Sequence, residues 1–493
     1  MFRRSFLVCQ VYDKRFSAPS FVQRPFFSLF SVPSLVGIDI LRIFQYPWSM
    51  SKIKLSDHFT FRRLLRFTIP SIIMMVCTSV YSIVDGLFVS NFVGKEQFAA
   101  LNLIMPVIMA LSTIGFMFGT GGSAIVGITL GEGKKEKANE YFSLLVYVMM
   151  ALGFSAAVLG FIFMRPLAIA LGAKGQMISD CVLYGRISMI SLPFFMLQIM
   201  FQSFYITAER PEMSLKISIA TGLTNMILDY VFIAVFHWGL AGAALATVTG
   251  ELIGGTIPIF YFFLNKTSIL HLGKTRFSGN VLAKTCLNGS SEMMTNISTS
   301  IVNMLYNFQV MRFAGEDGVA AYGVIMYANF IFAAMYLGYT IGCAPLISYN
   351  HGADNRKELH NLFKKSLMLI SVTGILMLSI AQGLAGQVVG LFVGYDKELL
   401  ALTITGFRIY SISYLLNGFN IWGSGFFTAL GNGIISAQIA FFRTLLFQCS
   451  MVLLLPVFFE INGVWAAIIV AELLALVVTG QFLIRKRKVY GYA

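Results

Sequence analysis

The sequence predicts an all-α polytopic membrane protein whose twelve transmembrane helices form two pseudo-symmetric six-helix lobes. Of 493 residues, 57% are hydrophobic and only 12% are charged, whereas soluble domains are about a quarter charged. Twelve spans of roughly 20 apolar residues would fill about half of such a chain. A third observation is an internal repeat, which relates the first half of the chain to the second.

Apolar runs between polar breaks give the twelve spans directly. They begin near residues 67, 98, 141, 181, 213, 240, 284, 318, 362, 399, 433 and 463. From Met50 onward, most lysines and arginines fall in the loops on one side, which is also the side of both termini. Since excess positive charge stays in the cytoplasm, we expect a multi-pass protein of the plasma (inner) membrane with both termini cytoplasmic. The net charge of +14 then reflects topology, and nucleic acid is not an expected partner.

The order of the spans predicts the domain organisation. Residues 1–49 fit none of the spans, and the basic, amphipathic segment MSKIKLSDHFTFRRLLRF makes a natural entry to the first one. We therefore interpret Met50 as the natural start, with a genuine amino-terminal extension as the alternative. The predicted parts are an extension (1–49), an N-lobe with spans 1–6 (50–265), a cytoplasmic linker (266–283), a C-lobe with spans 7–12 (284–488) and a tail (489–493).

The internal repeat aligns FVGKEQFAALNLIM with FAGEDGVAAYGVIM and continues without a gap. Because each half has an even number of spans, the two halves share one orientation, and the repeat is parallel. Parallel duplication is typical of transporters, with a substrate cavity where the halves face each other. Matched positions include Phe92/Phe313, Gly94/Gly315, Gly121/Gly342, Gly131/Gly352 and Glu251/Glu472.

Two carboxylates stand out among the charges inside spans, which usually line cavities or relay ions. Asp85 in span 1 and Asp229 in span 5 lie at one depth, and Asn225 precedes Asp229 by one helical turn. The repeat places no carboxylate at the matching positions of the second half. We interpret Asp85, Asn225 and Asp229 as a coupling-ion site, whose carboxyl groups are protonated when neutral or bind Na+ when charged. A satisfied polar anchor between helices is the alternative.

Other polar groups within spans are candidates for a substrate cavity, with an ordinary hydrogen bond between helices as the alternative. For Glu292, near the cytoplasmic end of span 7, the alternative is a solvated residue at the start of a helix. Glu251 and Glu472 share a repeat position, which fits a duplicated structural hydrogen bond as well as transport. Arg443 could neutralise one of these acids or extend to the cytoplasmic surface. The candidates for the cavity are Tyr81, Gln198, Gln202, Glu292, Asn417, Asn420 and Trp422.

The sequence contains no pattern typical of an enzyme. The five histidines show no metal-ligand spacing, and no GxSxG nucleophile motif is present. We therefore expect no catalytic residues, no resident metal and no cofactor beyond a coupling H+ or Na+. The expected partners are small-molecule organic cations or drugs and the membrane lipids, and the expected state is a monomer.

Four segments resemble the multidrug and toxic compound extrusion (MATE) family: SVYSIVDGLFVSNFVG, LPFFMLQIMFQSFYITAERP, NMILDYVFI and WGLAGAALAT. The resemblance covers residues 60–486 and is nearer to the DinF-like and MepA-like bacterial branch than to NorM. It implies export of organic cations and antibiotics in exchange for H+ or Na+, by alternating access of two lobes. On this pattern Asp85, Asn225 and Asp229 match the amino-lobe cation site, Gln202 a neighbouring position and Glu292 the span 7 acid.

The sequence departs from the NorM pattern in span 10, where Asn417 stands in place of an acidic cation ligand. We therefore expect no sodium site in the C-lobe. The predicted function is a secondary active multidrug efflux antiporter. The alternative is a lipid-linked precursor flippase of the same superfamily, which would favour a strongly basic cavity, whereas Arg443 is the clear basic residue inside a span.

Overall fold

The computed structural model describes residues 53–493, so the predicted extension 1–49 lies outside the described residues. Helices account for nearly all of this part of the chain. The first six are α1 (Phe61–Phe92), α2 (Lys95–Gly131), α3 (Lys135–Ala170), α4 (Gln176–Thr207), α5 (Pro211–Asp229, continued by a π-helical segment at Tyr230–Val235) and α6 (Gly239–Leu264).

The second six helices contain two backbone breaks and one bend. Gly279–Gly352 is interrupted at Gly315, which separates α7 (279–314) from α8 (316–352). After α9 (Arg356–Val393), α10 consists of Lys397–Ser411 and Tyr414–Ala429, bent by 47°. The last stretch comprises Gly433–Ala440, a π-helical segment at Phe441–Gln448 and Cys449–Tyr490, and its break at Glu460 separates α11 (433–459) from α12 (461–490).

With the two breaks and the bent pair counted, residues 53–493 contain twelve spans long and apolar enough to cross a membrane. Each begins within about six residues of its predicted start, the uncertainty expected for helix boundaries. The predicted all-α fold of twelve helices is confirmed.

The backbone repeats with the sequence. Gly94 between α1 and α2 (φ 116°) and Gly315 between α7 and α8 (φ 61°) occupy matched positions, and both adopt positive φ, which glycine tolerates at least cost. Gly239 at the start of α6 (φ 56°) matches Glu460 before α12 (φ 49°). The chain therefore changes direction in the same way at matched points of its two halves, as the parallel repeat predicts.

Each lobe has its own aromatic core. In the N-lobe, Phe142 packs against Phe201, Phe204 and Phe262, with ring centroids 4.9–6.3 Å apart. In the C-lobe the corresponding cluster is built around Phe426, whose ring contacts those of Phe363, Trp422, Phe427 and Tyr492. Burial of such large side chains holds the helices of each lobe together as one unit.

The lobes meet near the face that carries the loops 132–134, 208–210, 265–278 and 353–355, called here the basic face because these loops and the helix ends beside them hold many of the lysines and arginines. α2 packs along α7 and α8, and Gly121 lies directly against Gly289. The Asn288 amide donates to the Gly121 carbonyl (3.3 Å) and to the Thr428 carbonyl (2.9 Å). The two lobes are thus in contact over the half of the bundle next to this face.

The segment before α1 also joins the lobes. Leu55 and Phe59 are 1% and 0% exposed and pack in the C-lobe core. The Phe59 amide donates to Glu358 at the start of α9 (2.9 Å), while the Leu55 amide donates to Glu209 between α4 and α5 (2.7 Å). Residues 53–60 therefore connect both lobes at the basic face.

Candidate functional site

A cavity of about 300 Å³ lies inside the N-lobe among α1, α2, α4, α5 and α6, and is called here the N-lobe cavity. Its mostly apolar wall contains methionine and phenylalanine side chains, into which a few polar groups converge. Such a wall suits ligands of varied shape. Six of its polar or aromatic residues are Tyr81, Asp85, Tyr184, Gln198, Asn225 and Glu251.

The predicted pair of aspartates comes together at this cavity because α1 packs against α5. Asp229 is fully buried, and neither of its carboxylate oxygens has a hydrogen-bond partner among the described residues. Oδ1 of Asp85 is likewise buried and unpartnered within residues 53–493. The two carboxyl groups are close enough to share a hydrogen bond when one is protonated.

Two ionised carboxylates cannot donate to each other, and burying unpaired charge is costly. Burial of the pair therefore favours a state in which its charge is neutralised. Asp229 is also the last α-helical residue before the π-helical segment of α5, a local geometry frequent at functional sites.

Two further side chains that carry oxygen atoms, Asn225 and Thr247, belong to the same wall of the cavity. Asn225 lies one turn before Asp229, and its Nδ2 donates to Thr247 Oγ1 on α6 (3.4 Å), while its own Oδ1 is buried without a partner among the described residues. Carboxylate, amide and hydroxyl oxygens suit hard cations. Thr247 was missed by the sequence reasoning, although its spacing of four residues from Glu251 placed it on the same face of span 6.

Glu251 lines the N-lobe cavity from α6. Its Oε2 accepts a hydrogen bond of 2.5 Å from Ser191 on α4. Within the described part of the chain, no lysine, arginine or histidine nitrogen lies within 4.0 Å of this carboxylate. Gln198 and Gln202, two predicted cavity residues, line the same space.

Glu292 lies in a second, smaller cavity of about 150 Å³ that adjoins the first through the shared residues Met75 and Phe116. Thr295 and Asn296 line it from the same helix, and Glu292 is the acidic residue of its wall. The structure therefore separates Glu292 from the Asp85 and Asp229 pair.

Glu472 is fully buried in the C-lobe and fully engaged. Arg443 Nε donates to both of its oxygens, at 2.8 and 3.1 Å, and Asn420 Nδ2 donates to Oε2 at 2.7 Å. Asn417, with its amide oriented to donate, reaches Oε1 at 3.3 Å. Of the two possibilities for Arg443, the structure selects neutralisation of an acid.

Three residues predicted to line the cavity are therefore placed elsewhere. Asn417 and Asn420 turn from α10 toward Glu472 on α12, and Trp422 is 1% exposed and packs against Phe363 and Phe426. None of the three lines either of the two cavities described above. A polar residue in a span can form a hydrogen bond to a neighbouring helix as readily as it can face a cavity. The periodicity of the sequence does not distinguish these two orientations.

Comparison with known proteins places the chain in a family. The MatE family model matches residues 70–231 and 293–453, one match in each half. The multidrug export protein MepA of Staphylococcus saprophyticus is 24% identical over 425 residues, covering 84% of this chain and 92% of that protein. MepA of Staphylococcus aureus is 24% identical over 424 residues, with the same coverage.

Solved structures share the fold. An outward-facing multidrug resistance MATE transporter of the MOP superfamily superimposes with a TM-score of 0.85 at 20% identity, covering 90% of this chain and 99% of the other. A MATE crystal structure in complex with MaL6 gives a TM-score of 0.84, also at 20% identity, covering 89% and 98%. The chain therefore belongs to the MatE family, as a MATE transporter of the MepA-like bacterial branch.

Proposed function

We propose that this protein is a secondary active multidrug efflux antiporter, which exports organic cations and drugs in exchange for H+ or Na+. The observation that carries the proposal is the Asp85 and Asp229 pair, whose buried oxygens lack donors among the described residues. A site whose charge is neutralised by a small cation, and which lies beside a cavity, can couple binding of the ion to the shape of that cavity. The names of the MepA relatives support drug export.

The pair would act as the ion site by changing charge. With H+ or Na+ bound, the carboxyl groups are neutralised, and the packing of α1 against α5 carries no electrostatic penalty. Without it, mutual repulsion pushes α1 away from α5 and changes the shape of the cavity between them. Differential binding of ion and substrate to two states is what drives alternating access.

The conformation described here fits one end of that cycle. The lobes are in contact near the basic face through Gly121, Gly289 and Asn288, while the cavity lies deeper in the N-lobe. We propose that the basic face is cytoplasmic, that the protein is a monomer in the plasma membrane and that this conformation is closed toward the cytoplasm.

The flippase alternative gains no support from the N-lobe cavity or from the second cavity that adjoins it. A lipid-linked pyrophosphate would require free basic groups, but the Arg443 guanidinium is paired with Glu472. Neither of the two cavities contains a lysine or arginine in its described wall.

Transport in inside-out vesicles tests the proposal. Ethidium uptake is followed by fluorescence with the lumen made either more acidic or richer in Na+ than the outside. We expect one gradient to drive uptake by the natural chain and Asp85→Asn to abolish it. Tyr306→Phe, a change at the matched position of the C-lobe, serves as the control that keeps transport. Normal transport by a folded Asp85→Asn would refute the coupling site, and no uptake under either gradient would refute the antiporter.

A further inference from the structure

The repeat gives Glu251 and Glu472 the same position but different electrostatic surroundings. We propose that Glu251 binds the charged group of the substrate, and that it selects cations with N–H donors: amidinium, guanidinium and protonated amines. This inference rests on the proposed export of organic cations. In this proposal, the cationic substrate pairs with Glu251 in the N-lobe as the Arg443 side chain pairs with Glu472 in the C-lobe.

In the C-lobe, the chain supplies its own counter-charge. The Arg443 guanidinium donates to both oxygens of Glu472, and Asn420 adds a third hydrogen bond. Because the guanidinium group of Arg443 is planar and permanently charged, its N–H donors match the geometry of a carboxylate. The C-lobe site is thereby filled and closed to ligands.

In the N-lobe, the same spacing of 221 residues replaces each of these partners by a residue that cannot pair. Gly222 stands at the position of Arg443, and Ile199 stands at the position of Asn420. The ring of Tyr81 packs over Gly222, where an added Cβ would lie 3.0 Å from it. The N-lobe therefore has the carboxylate, at Glu251, but no basic residue at the position that matches Arg443.

The space beside Glu251 belongs to the N-lobe cavity. Ser191 occupies Oε2, and Oε1 has no hydrogen-bond partner within residues 53–493. The other titratable groups that line this space are Tyr81 and Asp85 from α1 and Tyr184 from α4. These bring two aromatic rings and a second acid, and none of them supplies a positive charge.

A second acceptor in the same wall argues for a ligand with several N–H groups. Gln198 is only 5% exposed, lines the cavity, and its Oε1 has no partner among the described residues. An amidinium can donate to the unpartnered Oε1 of Glu251 and still present N–H groups to other acceptors of the wall, and the rings of Tyr81 and Tyr184 suit a planar cation. A quaternary ammonium can donate to none of these acceptors.

Glu251 is distinct from the ion pair. Asp229 is fully buried and does not line the cavity, whereas Glu251 does. The substrate can therefore be held on α6 while the ion is exchanged between α1 and α5, and Thr247 on α6 connects the two through its contact with Asn225.

Binding to the purified full-length chain tests the proposal with two ligands of similar size. The fluorescent p-aminobenzamidine offers paired N–H donors, and phenyltrimethylammonium offers charge alone. For Glu251→Gln we expect the Kd of p-aminobenzamidine to rise at least about tenfold, the effect of losing a charge-assisted hydrogen bond. The Kd of phenyltrimethylammonium should rise no more than about threefold. Glu316→Gln, the same change at an exposed position, should alter neither.

A second measurement needs no variant. The natural chain should bind p-aminobenzamidine at least about tenfold more tightly than phenyltrimethylammonium, and equal affinities would overturn the selectivity. A change of less than about twofold in Glu251→Gln would overturn the assignment of Glu251. Ethidium uptake by the natural chain, measured on the same preparation, distinguishes a failure of the Glu251 assignment from a failure of the proposed export. If uptake persists, the assignment of Glu251 alone is wrong, and if it is absent, the proposed export is wrong as well.

Discussion

The two lobes hold a glutamate at one repeat position, but they treat its charge differently. Glu472 is neutralised by Arg443 and held by Asn420, so the C-lobe acid is part of the packing. Glu251 has a serine and an open cavity beside it. The two halves therefore share the acid, but only the C-lobe has a basic residue at the matched position, where Arg443 stands in place of Gly222. In our proposal, the N-lobe acid is therefore the one that can bind a cationic substrate.

The same asymmetry extends to the ion pair. Tyr306, which matches Asp85, is 2% exposed and stacks on Tyr322 with ring centroids 5.0 Å apart. Ser450, which matches Asp229, is exposed. The C-lobe thus has a neutral counterpart for each member of the N-lobe pair. We therefore propose that the N-lobe contains both the ion site and the substrate site, and that the C-lobe contributes neither.

The largest expected effect breaks this asymmetry at the ion pair. Asp229→Asn leaves Asp85 without its partner and removes the proton or cation site, so gradient-driven ethidium uptake should fall to that of empty vesicles. Ser450→Ala, at the matched position, should keep wild-type uptake because that side chain is exposed. Loss of transport in both variants, or in neither, would contradict the difference between the lobes.

The next effect concerns stability in the C-lobe. Arg443→Met leaves Glu472 buried without its counter-charge and should lower the free energy of unfolding by about 3–5 kcal/mol. Glu251→Gln should change it by less than about 1 kcal/mol because Ser191 can still donate to the new side chain. Thermal or denaturant unfolding of the purified protein in detergent measures both.

The matched control for that prediction removes both charges. Arg443→Met combined with Glu472→Leu should recover most of the lost stability, since an apolar pair carries no buried charge. If the double variant is no more stable than Arg443→Met alone, then Arg443 stabilises the C-lobe through packing and not by neutralising Glu472.

A smaller effect compares two glycines related by the repeat. A Cβ on Gly121 would lie within 3 Å of the Gly289 backbone, whereas a Cβ on Gly342 would meet the Ser71 side chain at 3.2 Å. Gly121→Ala should therefore weaken the contact between the lobes by about 1–3 kcal/mol, the usual cost of overpacking, and Gly342→Ala by less. Reactivity of a cysteine introduced at Ser123 on the wall of the second cavity measures opening toward the basic face, and equal reactivity in both variants would contradict this.

The smallest effect distinguishes the two ions. Thr247→Val keeps the shape of the side chain but removes its oxygen, which contacts Asn225. Proton-driven uptake should stay within about fivefold of wild type, because a hydrogen bond of this kind contributes about 1 kcal/mol. Uptake driven by Na+, if that gradient works, should fall further because an oxygen ligand is lost. Equal loss under both gradients would remove Thr247 from the ion site.

Much of the fold could be predicted because the membrane imposes simple rules on sequence. Span length, basic loops and the repeat identified twelve helices and their two lobes, and equal depth along parallel helices brought Asp85 and Asp229 together. The breaks at Gly315 and Glu460 fell between predicted spans for the same reason, since a backbone reversal separates apolar runs.

The orientation of polar side chains could not be predicted, because it depends on helix rotation and on partners from distant parts of the chain. Asn417 and Asn420 face Glu472 and not a cavity, and Thr247 joins Asn225 across two helices. The pairing of Arg443 with Glu472 was one of two open possibilities. In each case the deciding contact joins different helices, about which spacing along one helix says nothing.

Infrared difference spectroscopy of the purified protein tests the central claim most directly, since it detects the C=O band of a neutral carboxylic acid. Acidifying a Na+-free sample of Glu251→Gln/Glu292→Gln, which lacks the two other cavity acids, should produce such a band, and adding Asp85→Asn or Asp229→Asn to that background should abolish it. It should persist in Arg443→Met/Glu472→Leu, which lacks the C-lobe acid. A band that remains in both aspartate variants would contradict the claim that the N-lobe pair binds the coupling ion.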